Sequence, residues 1–263
     1  MLKKIYGAAS APVFIFAASW RSGSTLLQRI VNASGEVFVW GEPAFLPEAL
    51  ALHRRLGNCL SNNEFNRRNA FANMVGKWIP VVSPSPAMAA ESLRSFFNRL
   101  YGTEASSMGR SRWGFKEVRA DAVAHMQFLS DIYPDARCIF LVRDPWNSYR
   151  SVKGKKFHAN FKDPLQPVRV WESNVSGYLG APELQKHCLL VRYEDLIKQT
   201  RDDNTLLKQI ADHIGVRLDN RMHLELETLV DPSGARVQIE AQEMENVIAI
   251  VAATAARLGY ERP

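Results

Sequence analysis

The chain has 263 residues, of which 46% are hydrophobic and 23% charged. That is the make-up of a soluble globular protein, and the length suits a single domain with insertions, residues 1–263. No apolar run approaches the roughly 18 residues that a membrane span requires, and the three widely spaced cysteines (Cys59, Cys138, Cys188) exclude a disulfide framework and offer no metal-ligand spacing.

Cysteines so few and scattered suit a reducing compartment, and the expected location is cytoplasmic. The net charge of +6 favours anionic partners without demanding a polyanion. Six tryptophans on a basic chain raise the question of nucleic acid, but arginines and aromatics are not interleaved in any recognised module, so no nucleic-acid partner is expected.

The N-terminus, Met1-Leu2-Lys3-Lys4 followed by apolar residues to Ala18, has the outline of a signal peptide. Gly7, Ser10 and Pro12 interrupt it, and cleavage would remove the first strand, so it is read as part of the domain. Val13-Phe14-Ile15-Phe16 reads as a buried strand. A helix follows from about Ser24, with Leu26, Leu27, Ile30 and Val31 on one side. Residues 37–40 form a second strand, stopped by Gly41 and Pro43.

Residues 46–112 break the alternation. Their pattern is helical, interrupted by Pro80, Pro84 and Pro86. They hold nine Lys or Arg (Arg54, Arg55, Arg67, Arg68, Lys77, Arg94, Arg99, Arg110, Arg112) against four Glu. This basic insertion is either a lid or acceptor-binding region or a solvated helical face.

Residues 113–116 predict a third strand, followed by a helix carrying Val123, Met126, Leu129, Ile132 and Tyr133 and ended by Pro134. Residues 138–142 are the clearest strand, after which Asp144 and Pro145 stand at N-cap and first helical positions. A helix over 167–179, a strand over 188–191, a helix capped by Asp203 and closed by Gly215, and a last helix over about 240–258 complete the chain. Strands alternating with helices predict a mostly parallel sheet covered on both faces.

The informative segment joins the first strand to the first helix: Ala18-Ser19-Trp20-Arg21-Ser22-Gly23-Ser24-Thr25. A small-residue loop that ends on a helix N-terminus turns backbone N–H groups and the helix dipole toward one point, where a phosphate binds. Against the triphosphatase pattern G-x-x-x-x-G-K-[ST], Gly23 and Thr25 match, Ala18 replaces the first glycine, and Ser24 replaces the lysine. That lysine serves the β- and γ-phosphates of ATP. Its place is not filled by a cation, and the positive charge sits three positions earlier, on Arg21. Such a loop suits a donor with a phosphate but no triphosphate tail.

Arg21-Ser22-Gly23-Ser24-Thr25-Leu26-Leu27 resembles the 5′-phosphosulfate loop of sulfotransferases that use 3′-phosphoadenosine 5′-phosphosulfate (PAPS). It is closest to the R-S-G-[ST]-T-L form of the carbohydrate, protein-tyrosine and bacterial branches. Residues 138–151 resemble the family's 3′-phosphate motif, with Arg143 at a strand end and Ser151 eight residues on. Val191-Arg192-Tyr193-Glu194-Asp195-Leu196 resembles its V-x-Y-E-D-L segment.

The resemblance implies an α/β fold with a nucleotide-kinase-like parallel sheet flanked by helices, PAPS as co-substrate, no metal, and a hydroxyl-bearing acceptor (glycan, peptide, lipid or small metabolite). It implies that Arg21, Ser22, Gly23, Ser24 and Thr25 hold the 5′-phosphate, that Arg143 and Ser151 hold the 3′-phosphate, and that Tyr193 lies near the nucleotide or serves as a structural hydroxyl. Lys116 matches the lysine that stabilises the leaving oxygen. Glu42, 21 residues beyond Arg21, matches the carboxylate base of that branch. Residues 115–121 lack the histidine that cytosolic small-molecule members use. Glu117 is the second candidate base and His158 the third. The rival readings are a small-molecule kinase of the same fold and a nucleotide-binding module without chemistry. Asn32 and Asn174 begin glycosylation sequons, but both fall in predicted helices.

Overall fold

A computed structural model describes residues 11–60, 84–228 and 237–261. Five strands form one sheet: β1 (Val13–Ala17), β2 (Val37–Trp40), β3 (Arg112–Glu117), β4 (Arg137–Val142) and β5 (Cys188–Arg192), in the order β2-β3-β1-β4-β5. Every pair is parallel. All five C-terminal ends therefore lie along one edge. From the central β1 the chain fills one flank (β2, β3) and then crosses to the other (β4, β5). In such sheets the usual ligand position is the C-terminal edge beside that reversal. The α/β class and the parallel sheet are as the sequence implies.

Strand alternation feeds two cores. Phe14, Phe16, Trp113, Phe115 and Phe140 pack on one face, and Val13, Ile15, Val37, Val39, Ile139 and Leu141 on the other. Helix α1 (Ser24–Ala33) covers the second face with Leu26, Leu27, Ile30 and Val31. β2 is an edge strand, and side chains of α1 finish it. Asn32 accepts from Val39 N at 2.7 Å and donates to Val39 O at 3.2 Å, and Gln28 donates to the same oxygen at 2.9 Å. Such cover blocks pairing with a foreign strand. It also commits the Asn32 amide of the first sequon.

After β2 come α2 (Leu46–Cys59), α3 (Pro86–Phe97), a π turn (Asn98–Gly102) and α4 (Thr103–Ser107). Arg67, Arg68, Lys77 and Pro80 lie outside the described residues. Arg112 belongs to the sheet, not to a basic lid. It opens β3, is 9% exposed, and donates to the carbonyls of Ala11 and Ile214. Next are α5 (Ala122–Ile132), α6 (Pro145–Lys153), α7 (Gln166–Leu179) and the short α8 (Pro182–Gln185). After β5 follow α9 (Tyr193–Leu196), α10 (Thr205–Ile214), α11 (Asn220–Glu227) and α12 (Ala241–Arg257).

Asp144 caps α6 as expected, accepting from Asn147 N at 2.8 Å. Asp203 does not cap α10. Asn204 holds the N-cap position without a side-chain bond, and Asp203 instead accepts from the Thr205 hydroxyl. No helix among the described residues is long and apolar enough to cross a membrane.

Candidate active site

The segment between β1 and α1 bends through two left-handed residues, Arg21 (φ 63°) and Gly23 (φ 91°). Left-handed residues interleaved with ordinary ones turn successive N–H groups inward and make an anion-binding concavity. Two serines brace it from within. Ser22 Oγ donates to Ser19 O at 2.7 Å, and Ser19 Oγ donates to Pro167 O at 2.7 Å. The Ser22 hydroxyl is thus spent inside the loop. Neither the Ser24 nor the Thr25 hydroxyl, at the first turn of α1, is hydrogen-bonded to another described residue.

Three more elements meet this loop. Tyr193, the first residue after β5, lays its ring on Gly23, and the Arg143 guanidinium lies over the same ring, 4.4 Å from its centre. Arg143, at the end of β4, donates to Arg21 O at 2.8 Å, and Arg21 Nε donates to Ser151 Oγ at 3.0 Å. Arg21, Arg143, Ser151 and Tyr193, drawn from four parts of the chain, form one contact chain around the loop. Trp171 Nε1 holds the Arg143 carbonyl at 2.9 Å. Glu194 accepts from Asp144 N and from Tyr260 OH, each at 2.9 Å, which ties the end of β4 to the C-terminal segment. Burial, with Glu194 close by, pushes the Tyr260 phenol well above its usual range. Sequence reasoning did not single out Glu194 or Tyr260. Glu194 stood inside the quoted Y-E-D-L segment and was the available signal.

On the other flank, Lys116 Nζ donates to Glu42 Oε1 at 2.6 Å. Lys116 is 8% exposed, and the Glu42 side chain is about one-third exposed, at 34%. A buried ammonium needs a partner, and Glu42 supplies it while keeping its other oxygen uncommitted. Adjacency of β2 and β3 brings the two residues together across 74 positions.

Glu117, the second candidate base, is instead a buried brace. It is 1% exposed, and its Oε1 accepts from Val118 N, Arg119 N and Arg119 Nε at 2.8–2.9 Å. Its Oε2 accepts from Arg119 Nη2. His158 sits in a 3-10 turn, with Nε2 3.1 Å from Pro164 O. Asn174 of the second sequon is 2% exposed; it donates to Ala18 O and Arg119 O and accepts from Ala122 N. Among the described residues no cluster of His, Cys, Asp and Glu could hold a metal ion.

The fold is that of an α/β protein with a small-residue loop at the switch point of a parallel sheet, and arginines and a lysine–carboxylate pair flank that loop. The sequence profile of the sulfotransferase family matches residues 12–220, and the chain belongs to that family. A comparison with curated protein sequences gives no match. Among solved structures, the sulfotransferase domain of the Synechococcus PCC 7002 olefin synthase is similar over 96% of both chains, with a TM-score of 0.57 at 19% identity. The sulfotransferase domain of the curacin biosynthetic pathway also gives a TM-score of 0.57, at 17% identity, over 96% of this chain and 99% of that one. A sulfotransferase from Mycobacterium avium aligns with a TM-score of 0.50 at 13% identity, over 99% of this chain and 81% of the other. At these identities the likeness is one of fold.

Proposed function

We propose that the chain transfers a sulfuryl group from PAPS to an acceptor hydroxyl by in-line displacement. The observation that carries the reading is the contact between the two phosphate motifs, Arg21 Nε on Ser151 Oγ and Arg143 Nη1 on Arg21 O. It is the arrangement expected if one nucleotide bridges a 5′-phosphate site at the loop and a 3′-phosphate site at Arg143 and Ser151. Ser151 accepts from Arg21, so its own proton remains available for a phosphate oxygen. A guanidinium at a strand end presents the fork that phosphate recognition favours. The Tyr193 ring beside Gly23 supplies a flat apolar surface next to the loop.

Glu42 takes the acceptor proton on its uncommitted oxygen. The acceptor oxygen forms its bond to sulfur while the bond from sulfur to the 5′-phosphate oxygen breaks. The products are the sulfated acceptor and 3′,5′-diphosphoadenosine. Lys116 has three N–H donors and gives one to Glu42, which leaves two for the bridging oxygen as it gains charge. The proton, the sulfuryl group and the leaving phosphate are all accounted for without a metal.

Calorimetry of 3′,5′-diphosphoadenosine, AMP and Mg-ATP tests the donor assignment. Tight metal-free binding that depends on the 3′-phosphate and falls in Arg143→Ala supports it. Preference for Mg-ATP would hand the site to the kinase reading, against which Ser24 in place of lysine stands. Glu42→Gln and Lys116→Ala that both keep full sulfuryl transfer would overturn the roles given to them.

A further inference from the structure

We propose that Arg119 is a positioning residue for the Glu42–Lys116 pair, set in place by Glu117. Glu42 follows the end of an edge strand, in the irregular Gly41-Glu42-Pro43 segment that leads into the turn at Ala44 and Phe45. The Pro43 carbonyl is held twice: Leu46 N, at the start of α2, donates to it at 3.0 Å, and Arg119 grips it from outside. Arg119 Nη2 donates to the Pro43 carbonyl at 2.8 Å, one residue beyond Glu42. The same guanidinium is gripped in a two-point fork, Nε on Glu117 Oε1 at 2.8 Å and Nη2 on Glu117 Oε2. Planar forks of this kind fix orientation as well as charge. Glu117 is in turn locked by the N–H groups of Val118 and Arg119, both at 2.9 Å.

The backbone of Arg119 is anchored as well. Asn174 Nδ2 donates to Arg119 O at 2.9 Å and to Ala18 O at 3.1 Å, and Ala18 is the first residue of the phosphate loop. Arg119 thereby joins the loop, through its backbone, to the Glu42 segment, through its side chain. Its role is to keep Glu42 on Lys116 and at a fixed distance from the loop. A lysine at 119 keeps the charge but cannot grip Glu117 at two points and reach Pro43 together.

The catalytic part of this inference rests on Glu42 being the base; the positioning part does not, so two readouts separate them. The first is labelling of the Lys116 amine by trace acetic anhydride, located by mass spectrometry. It needs neither donor nor acceptor. Glu42→Gln is expected to raise Lys116 labelling several-fold by removing the contact that occupies the amine. Arg119→Lys should raise it in the same direction, and the double variant should show no more than Glu42→Gln alone. Glu117→Gln, which keeps an acceptor for the two backbone amides, gives the second and milder variant, with a smaller rise. Wild-type labelling in both Arg119→Lys and Glu117→Gln, or additive effects in the double variant, overturns the inference.

The second readout is release of 3′,5′-diphosphoadenosine from PAPS. Arg119→Lys should lower kcat about tenfold or more with KM for the donor unchanged, and this loss should vanish in a Glu42→Gln background. Equal loss in both backgrounds overturns the action through Glu42. Full turnover in Glu42→Gln itself strikes instead at the base assignment, and the labelling result stands apart from it.

Discussion

The Tyr193 ring lies where a Gly23 side chain would have to go: a Cβ built on Gly23 falls 2.2 Å from Tyr193 Cδ2 and 2.6 Å from Cε2. Gly23 also sits at φ 91°, where an L-residue costs roughly 1–2 kcal/mol. The glycine is therefore required twice over, once by its dihedral and once by the ring. Gly23→Ala must push Tyr193 away or unwind the loop. The expected result is a lowered melting temperature together with at least a tenfold loss in affinity for 3′,5′-diphosphoadenosine, about 1.4 kcal/mol. Thermal melts and calorimetry on the same sample check both. Retained affinity would mean that the loop does not hold the nucleotide.

Arg143 has two duties that can be separated. Its charge and stacking act on Tyr193, and with Nη1 given to Arg21 O its remaining N–H groups are the ones assigned to the 3′-phosphate in the proposed reaction. Arg143→Lys keeps a cation but loses the planar stack and the second donor direction. A charge-assisted hydrogen bond contributes roughly 1.5–3 kcal/mol, so the preference for 3′,5′-diphosphoadenosine over AMP should fall about tenfold or more. Affinity for AMP itself should change little. Equal losses for both nucleotides would place Arg143 at the 5′-phosphate or at the ring instead.

Much of the frame could be read from sequence because its signals are local. The run 13–16 and the small-residue loop after it announce a strand, a turn and a helix within 20 residues, and Asp144-Pro145 announces the start of α6. The partnership of Glu42 with Lys116 has no such signal. It depends on β2 lying beside β3, a choice of sheet order that spacing does not reveal. The same holds for Glu117. Its position next to Lys116 made it a reasonable base, and only the four donors around its carboxylate turn it into a brace. Arg112 was counted with a basic surface because charge in sequence carries no burial. In the fold it satisfies backbone carbonyls at the foot of β3.

Lys116 tests whether the site is held at a cost in stability. Removing a buried ammonium relieves a desolvation penalty, and hydrophobic replacements of buried ionic groups are often neutral or stabilising. The Glu42 carboxylate left behind is partly open to water and can be hydrated. Lys116→Met, which roughly keeps the volume, should leave the melting temperature within a few degrees of the parent or raise it. Sulfuryl transfer should nevertheless drop about 100-fold or more, the usual size for loss of a preorganised charge at a leaving group. A variant that is both unstable and inactive would make Lys116 a structural residue.

Asn174 fastens three separate backbone groups with one amide. Asn174→Ala strands the Ala18 and Arg119 carbonyls and the Ala122 N–H away from water, at about 1–3 kcal/mol for each group left unsatisfied. Asn174→Asp should be no better, because a carboxylate has no N–H to give the two carbonyls. Both variants are expected to melt several degrees lower, and both should loosen the loop in hydrogen exchange at residues 18–23. A glycan on Asn174 is excluded by its burial in the same contacts.

His125 adds a dependence on pH. It is 2% exposed, and neither ring nitrogen has a hydrogen-bond partner among the described residues. Burial lowers its pKa, outweighing the opposing pull of Glu117 and Asp121, while Arg119 and Arg54 lower it further. His213, half-buried against the Cys138 carbonyl, is shifted the same way, again mainly by burial. A histidine depressed in the fold stays neutral there while the unfolded chain takes up a proton near its ordinary value of about 6.5. The unfolded state then binds more protons, and stability falls as pH drops below that value. The contribution is fully present above about pH 7 and is lost progressively on the acid side. His125→Leu removes both the titration and two buried polar atoms without partners. Melting temperatures taken between pH 7.5 and pH 5.5 should therefore fall less steeply in His125→Leu than in the parent, with the variant at least as stable at pH 7.5. An unchanged slope would show that His125 finds a proton acceptor in solution and that the acid sensitivity lies elsewhere, with His213→Leu as the next variant to compare.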